Sequence, residues 1–118
     1  MRIIGTGSAH PQRTLTNDDL SKMMDTSDEW IRERTGISTR QVITDEHLED
    51  LAAEAAQKAL DDAGIWGKDL DYIICSNVVN EYVTPSLASI VEGKIGAVCP
   101  CVDLNAACTG FIYAIDFA

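Results

Sequence analysis

Residues 97–118 read AVCPCVDLNAACTGFIYAIDFA, and the fold turns on this stretch. Val98, Val102 and Leu104 suit a buried strand, Asn105-Ala106-Ala107 is compact enough for a tight elbow, and Thr109-Gly110 opens the apolar run Phe111–Ile115. The pattern is strand, sharp turn, helix, with Cys108 at or just before the helix N-terminus. Unpaired backbone N–H groups and the helix dipole favour a thiolate over a thiol at such a place. A thiolate is a good acyl acceptor at neutral pH. The small residues Ala106, Ala107 and Gly110 leave room for a substrate carbonyl, or another chain, to approach the sulfur. Against this stands the ordinary reading of a free cysteine as a small buried hydrophobe, and the pattern alone leaves both open.

Upstream of the elbow, Leu70–Val79 (LDYIICSNVV) is a nearly continuous apolar strand of the kind found in a parallel sheet covered on both faces. Before it, Thr44 caps a helix with Asp45 and Glu46 in its first turn. Its apolar face is Leu48, Leu51, Ala52, Ala55, Ala56, Ala59, Leu60 and Ala63, and Gly64 ends it. So many alanines allow close approach, as in a helix buried between layers. Trp66-Gly67 is a turn, and Thr84-Pro85 starts a further helix with Pro at its first position, stopped by Gly93 and Gly96. Helix alternating with strand implies an α/β layered domain, with a mostly parallel or mixed sheet and a buried central helix.

Nearer the N-terminus, Arg2–Ser8 reads as a strand closing on Gly5 and Gly7 and broken into a loop by His10-Pro11. Gly5-Thr6-Gly7 has no third glycine at the dinucleotide spacing, so it reads as a strand-end turn, not a phosphate loop. Thr16 and Asp19 form a capping box for a short helix edged by Leu20, Met23 and Met24. Asp28–Thr35 (DEWIRERT) is a second short helix with acids first, arginines later and Gly36 beyond its end. Ile37–Ile43 is an edge strand or extended arm. Trp30 and Arg34, four apart, share one helix face. Either they pack on each other and on the surface, or the indole stacks on a flat ligand such as adenine while the guanidinium meets phosphate.

A chain of 118 residues that is 46% hydrophobic can bury one core. Nine basic against nineteen acidic residues, a net charge of −10, argue against nucleic acid and anionic membranes as partners. The four cysteines, Cys75, Cys99, Cys101 and Cys108, lack a zinc spacing, so no metal site is expected. They read as reduced thiols of a cytoplasmic protein. The N-terminal MRIIGTGSAH reads as neither a signal peptide nor a membrane span.

Four motifs together carry a family resemblance: IIGTGS at Ile3–Ser8, TSDEWIRERTGI at Thr26–Ile37, TPSLAS around Pro85, and VDLNAACTGF at Val102–Phe111. They resemble the β-ketoacyl-acyl-carrier-protein synthase III family of thiolase-like condensing enzymes, along nearly the whole chain and in the right order. The resemblance implies an enzyme that starts type II fatty-acid synthesis. Acyl-CoA acylates the elbow cysteine, which falls on Cys108, and malonyl-acyl carrier protein then condenses with decarboxylation. The coenzyme A tryptophan falls on Trp30, with Arg34 and Thr35 at the adenine and phosphate end and Thr26 nearby. No cofactor is implied beyond coenzyme A as part of the substrate, and a homodimer is.

At Thr84, acetyl-primed members commonly carry a Phe that reaches across the dimer to limit the acyl pocket, so Thr implies room for longer or branched chains. The family's catalytic His and Asn have no counterpart here, since His10 and His47 lie outside the motif that carries the histidine. Residues 1–118 are therefore expected to be the N-terminal portion of one thiolase-like domain, inactive without the remainder. Two alternatives stay open: another thiolase-fold synthase of polyketide or hydroxymethylglutaryl type, which should lack the DTSDEWI segment, and a non-catalytic module with an inert cysteine.

Overall fold

The structure is a computed structural model and describes residues 2–118. Its backbone forms two compact units, one from His10–Glu46 and one from His47–Ala118 together with the segment ending at Ala9.

In the His10–Glu46 unit, strands β1 (Arg13–Thr16) and β2 (Thr39–Val42) pair antiparallel, Arg13 opposite Val42 and Thr16 opposite Thr39. β1 corrects the loop expected after His10-Pro11. Thr16 ends β1 and caps α1 (Asn17–Ser21): its hydroxyl accepts from Asp19 N, and the Asp19 carboxylate accepts from Thr16 N at 3.1 Å. α1 stops before Met23 and Met24, which are exposed. Helix α2 (Asp28–Thr35) starts at Ser27, whose hydroxyl accepts from Trp30 N, and ends at Gly36 in the left-handed region, φ 72°. The hub of this unit is Asn17, 1% exposed. Its amide nitrogen donates to Asp28 Oδ1 and Ile37 O, both at 2.8 Å, and its oxygen accepts from Arg40. One buried side chain thus ties α1 to the start of α2 and to β2.

In the other unit, β3 (Ile73–Ser76) and β4 (Cys101–Leu104) pair parallel, Ile73 beside Cys101 and Ser76 beside Leu104. Helix α4 (Leu87–Ile95) packs on both strands and, on its other side, on α3 (Leu48–Ala63). Leu87, Ala88 and Val91 of α4 are buried, whereas α3 buries Ala53 and Leu60. The helix held between layers is therefore α4, not the alanine-rich α3. Helix α5 (Gly110–Phe117) packs on β3 and leaves Phe111, Ile112 and Phe117 exposed.

Four expectations are corrected, three of them by longer-range contacts. Residues 2–8 form no ladder. A Cβ on Gly5 would strike the Ala59 carbonyl, one on Gly7 the Ala55 carbonyl, and Thr6 N donates to Asp62 Oδ2 at 2.9 Å. The glycines and the α3 alanines are thus two sides of one close approach between backbone and helix. α3 begins after His47, not after Thr44, because the Glu46 carboxylate accepts from Thr44 N at 3.0 Å and Gln12 N at 2.8 Å and so closes a turn instead of joining a helix. The strand expected over Leu70–Val79 contracts to four residues: Asn77 N donates to Leu104 O at 3.1 Å, where β4 itself ends. α4 is capped by Ser86, whose hydroxyl accepts from Ser89 N, so Pro85 lies outside it, and the helix runs through Gly93 to end at Gly96.

Candidate functional site

β4 delivers the chain to the elbow at Leu104, and α5 takes it away from Gly110. Between them Ala107–Thr109 make a single 3₁₀ turn, closed by the Thr109 N–H (3.1 Å) and hydroxyl (2.8 Å), both donating to Ala106 O. Ala107 has φ 45°. A non-glycine residue in the left-handed region costs on the order of 1 kcal/mol and persists where surrounding contacts enforce it, often at functional sites. The turn makes the next side chain, Cys108, exposed. Gly110 is dictated by packing, because a Cβ there would overlap Ser76 Oγ at the end of β3.

The other thiols differ. Burial pushes the Cys75 thiol up to about 11, helped by the Asp103 and Cys101 charges, and burial also raises Cys101, whose Sγ donates to Cys99 O at 3.2 Å. Cys108 is the exposed one of the four, which contradicts the buried-hydrophobe reading.

Of the residues that the resemblance assigns to coenzyme A, the structure brings Trp30 and Arg34 together directly. The guanidinium carbon lies 4.4 Å from the indole centroid, and Nη1 donates to Trp30 O at 3.4 Å. Trp30 is 53% exposed, so the pair stands at the surface with indole area to spare. Thr26 and Thr35 do not join them as one cluster: they sit at opposite ends of an eight-residue helix, about 12 Å of axial rise from first to last turn. Thr26 is half-buried before the cap, and the Thr35 hydroxyl is occupied, donating to Ile31 O at 2.7 Å and accepting from Ile37 N. Thr84 is exposed on the loop between β3 and α4, beside fully exposed Val83.

That loop has anchors that the sequence reading missed. Asp103 Oδ2 accepts from Asn80 Nδ2 at 2.6 Å and from Leu87 N at 2.8 Å, and Oδ1 accepts from Ala88 N at 2.8 Å. Burial opposes ionisation of Asp103, but the two helix N–H groups and the Asn80 amide outweigh it and hold the carboxyl below the ordinary aspartate range. The available signal was an acid inside an apolar strand. Glu81 also meets His47 Nδ1 at 3.2 Å. With Glu49 they gather a ring nitrogen and two carboxylates within 4.8 Å, at the surface and already engaged with one another. Among the described residues no helix is long and apolar enough to cross a membrane.

Comparison with known proteins adds the following. Residues 32–118 match the family model described as thiolase, N-terminal domain. The chain is 50% identical over 119 aligned residues to a β-ketoacyl-[acyl-carrier-protein] synthase III of Clostridium acetobutylicum, covering 100% of this chain and 37% of the relative. It is equally 50% identical to one of Vesicomyosocius okutanii, covering 99% and 37%. A crystal structure of 3-oxoacyl-[acyl-carrier-protein] synthase III from Aquifex aeolicus superposes with a TM-score of 0.94 at 43% identity, covering 98% of this chain and 38% of that one. The priming β-ketosynthase of the R1128 polyketide pathway superposes with the same score at 34% identity, covering 99% and 36%. The chain thus spans a little over a third of the length of the relatives it matches, and the α/β layered arrangement read from its sequence is that of these structures.

Proposed function

Because the chain belongs to the thiolase family through its N-terminal domain, we propose that it is the acyl-accepting portion of a β-ketoacyl-acyl-carrier-protein synthase III, an acyltransferase that initiates type II fatty-acid synthesis. The observation that carries this reading is the exposed Cys108 on a strand–turn–helix elbow whose preceding residue holds φ 45°.

In the first step the Cys108 thiolate attacks the thioester carbon of acyl-CoA. The C–S bond to coenzyme A breaks, coenzyme A leaves as its thiol after taking up a proton, and the acyl group stays on Cys108 as a thioester. In the second, malonyl carried on acyl carrier protein loses CO₂, its carbanion attacks the acyl carbonyl, and Cys108 is released. Both steps build charge on oxygen that needs positioned donors. His10 and His47 do not supply them: both lie outside the motif that carries the family's histidine, and His47 is engaged with Glu81. Those donors, and the basic surface for an acidic carrier protein, belong to the length the relatives have beyond this segment, so residues 1–118 are one portion of a larger domain and inactive alone.

For coenzyme A, Trp30 and Arg34 form the platform. The guanidinium covers one face of the indole and offers charge to phosphate, while the exposed remainder accepts a planar base. Thr35 and Thr26 flank it at the two ends of α2. Exposed Thr84 lines the acyl pocket and admits longer or branched chains. The charge of −10 supports a function without nucleic acid or membrane partners, reduced thiols support the cytoplasm, and the family resemblance supports a homodimer that needs no cofactor. A priming synthase of polyketide type shares the first step and differs in the carrier protein it serves; the two relatives at 50% identity, both synthases III, favour the fatty-acid reading.

The test is intact-mass analysis of the complete enzyme after exposure to acyl-CoA without malonyl donor. A single acyl adduct is expected, lost in Cys108→Ala; a stable thioester persisting in that variant overturns the assignment.

A further inference from the structure

The residues from Glu81 to Ser86, Thr84 among them, hang between two points held by one side chain. Asn80, at one end, donates its amide to Asp103 Oδ2; Leu87 and Ala88, at the other, donate their backbone N–H groups to the same carboxylate. Asp103 lies on β4, five residues before Cys108, so these bonds also tie the loop to the strand that carries the elbow. Little else fixes the loop. Val83 is 99% exposed, and the Glu81–His47 pair is a surface contact of the kind that contributes little. Alongside, Asn80 Oδ1 and Asn77 Nδ2 are buried without hydrogen-bond partners. A carboxylate can accept from three N–H groups at once. An asparagine there would turn an amide N–H towards at least one of them.

We infer that Asp103 is a positioning residue for acyl-chain selection, because its carboxylate fixes both ends of the Thr84 loop relative to the elbow strand. This deepens the reading of Cys108 as acyl acceptor and Thr84 as pocket residue, and rests on it. Asp103 does not touch the reacting atoms. It limits the positions from which the loop, reaching across the dimer, meets the acyl chain, and a looser loop discriminates less.

The experiment measures kcat/KM of the complete enzyme with acetyl-CoA and with octanoyl-CoA, and the iodoacetamide labelling rate of Cys108. Asn80→Ala frees one end of the loop and leaves Leu87 N and Ala88 N bonded to Asp103, so it decides the matter even where Asp103→Asn does not fold. The ratio of preferred to disfavoured substrate should fall about fivefold in Asn80→Ala, the loss expected for one hydrogen bond, and further in Asp103→Asn. Cys108 labelling should stay within about twofold of wild type, which a general collapse of the elbow would not allow. An unchanged ratio in folded Asn80→Ala overturns the inference while leaving the acyl-acceptor reading intact, as does a labelling rate that shifts as far as the ratio. Failure of the wild-type enzyme to form an acyl adduct with either substrate overturns the parent reading and the inference with it.

Discussion

Gly110→Ala isolates the contact that sets the elbow against the end of β3. Gly110 has ordinary helical dihedrals, φ −56° and ψ −41°, so glycine is not required there for its backbone freedom. At such an unstrained position Gly→Ala alone stabilises a protein by about 0.4–1 kcal/mol, by restricting the unfolded chain. The opposing effect is steric. The new methyl would overlap Ser76 Oγ, whereas Ser76 Cβ at 3.5 Å and Leu104 O at 3.9 Å would be in ordinary contact. Overpacking of this kind costs about 1–3 kcal/mol, and a cost of about 1.5 kcal/mol applies because a hydroxyl can turn away. The net expectation is a loss of about 1 kcal/mol. Removing only the Ser76 hydroxyl removes the clash, so in a Ser76→Ala background Gly110→Ala should be stabilising by about 0.5 kcal/mol. The double-mutant cycle therefore predicts a coupling of about 1.5 kcal/mol, well above the roughly 0.5 kcal/mol scatter of independent sites. Urea unfolding of the four proteins measures it, and iodoacetamide labelling of Cys108 should follow the same order. A coupling below that scatter, or a stabilising Gly110→Ala in the wild-type background, would show that Ser76 does not dictate the glycine.

Three further outcomes follow from single residues. Asn17→Ala removes three hydrogen bonds around a side chain that is 1% exposed and strands their partners, so it should destabilise the His10–Glu46 unit by about 2–4 kcal/mol, seen as faster hydrogen exchange in α2. Hydrogen bonds from Thr44 N, Gln12 N and its own backbone hold the Glu46 carboxyl down at about 2 from an ordinary 4.5. Its contribution is complete above pH 4.5 and lost as pH falls towards 2, so Glu46→Gln should unfold less steeply with acid across that window; an unchanged pH slope would count against it. Trp30→Ala should raise the acyl-CoA KM by between about 5-fold and about 150-fold, as loss of a stacked base of roughly 1–3 kcal/mol requires, and leave Cys108 labelling untouched; an unchanged KM would make the Trp30–Arg34 pair a surface contact only.

The parts of the fold legible in the sequence are those decided within one helical turn. The Thr16–Asp19 capping box and the left-handed glycines 36, 64 and 96 each satisfy backbone groups next door, so spacing alone reveals them. Strand β3 was visible as an apolar run; for β4 the reading reached too far, since Val98 lies outside the strand and both Val98 and Val102 are exposed. Most of what failed depended on a distant partner. Residues 2–8 have the composition of a strand, but a ladder needs a second strand, and the segment lies on α3 at Ala55 and Ala59 instead. Thr44 and Glu46 are sound helix-start residues until Gln12, 34 positions earlier, takes the carboxylate. At Pro85-Ser86 two valid start signals stand side by side, and the one whose hydroxyl reaches Ser89 N wins.

The candidate site divides along the same line. Cys108 could be located from the sequence because strand, small-residue elbow and helix are contiguous, and Trp30 with Arg34 because four residues on a helix bring two side chains together. The features that give the cysteine its setting are not contiguous. The φ of 45° falls on an alanine, a residue type that gives no hint of it, and Gly110 is explained by Ser76 on another strand. The Asn80–Asp103 tie spans 23 positions and makes an acid in an apolar strand serve as the cap of an earlier helix. The position of the proposed acyl acceptor is thus a local property of this chain, whereas the anchoring of the β3–α4 loop depends on its hydrogen bonds to β4. Substitutions within the VDLNAACTGF stretch that keep Cys108 but alter Asp103 should therefore change which acyl group is accepted before they change whether one is.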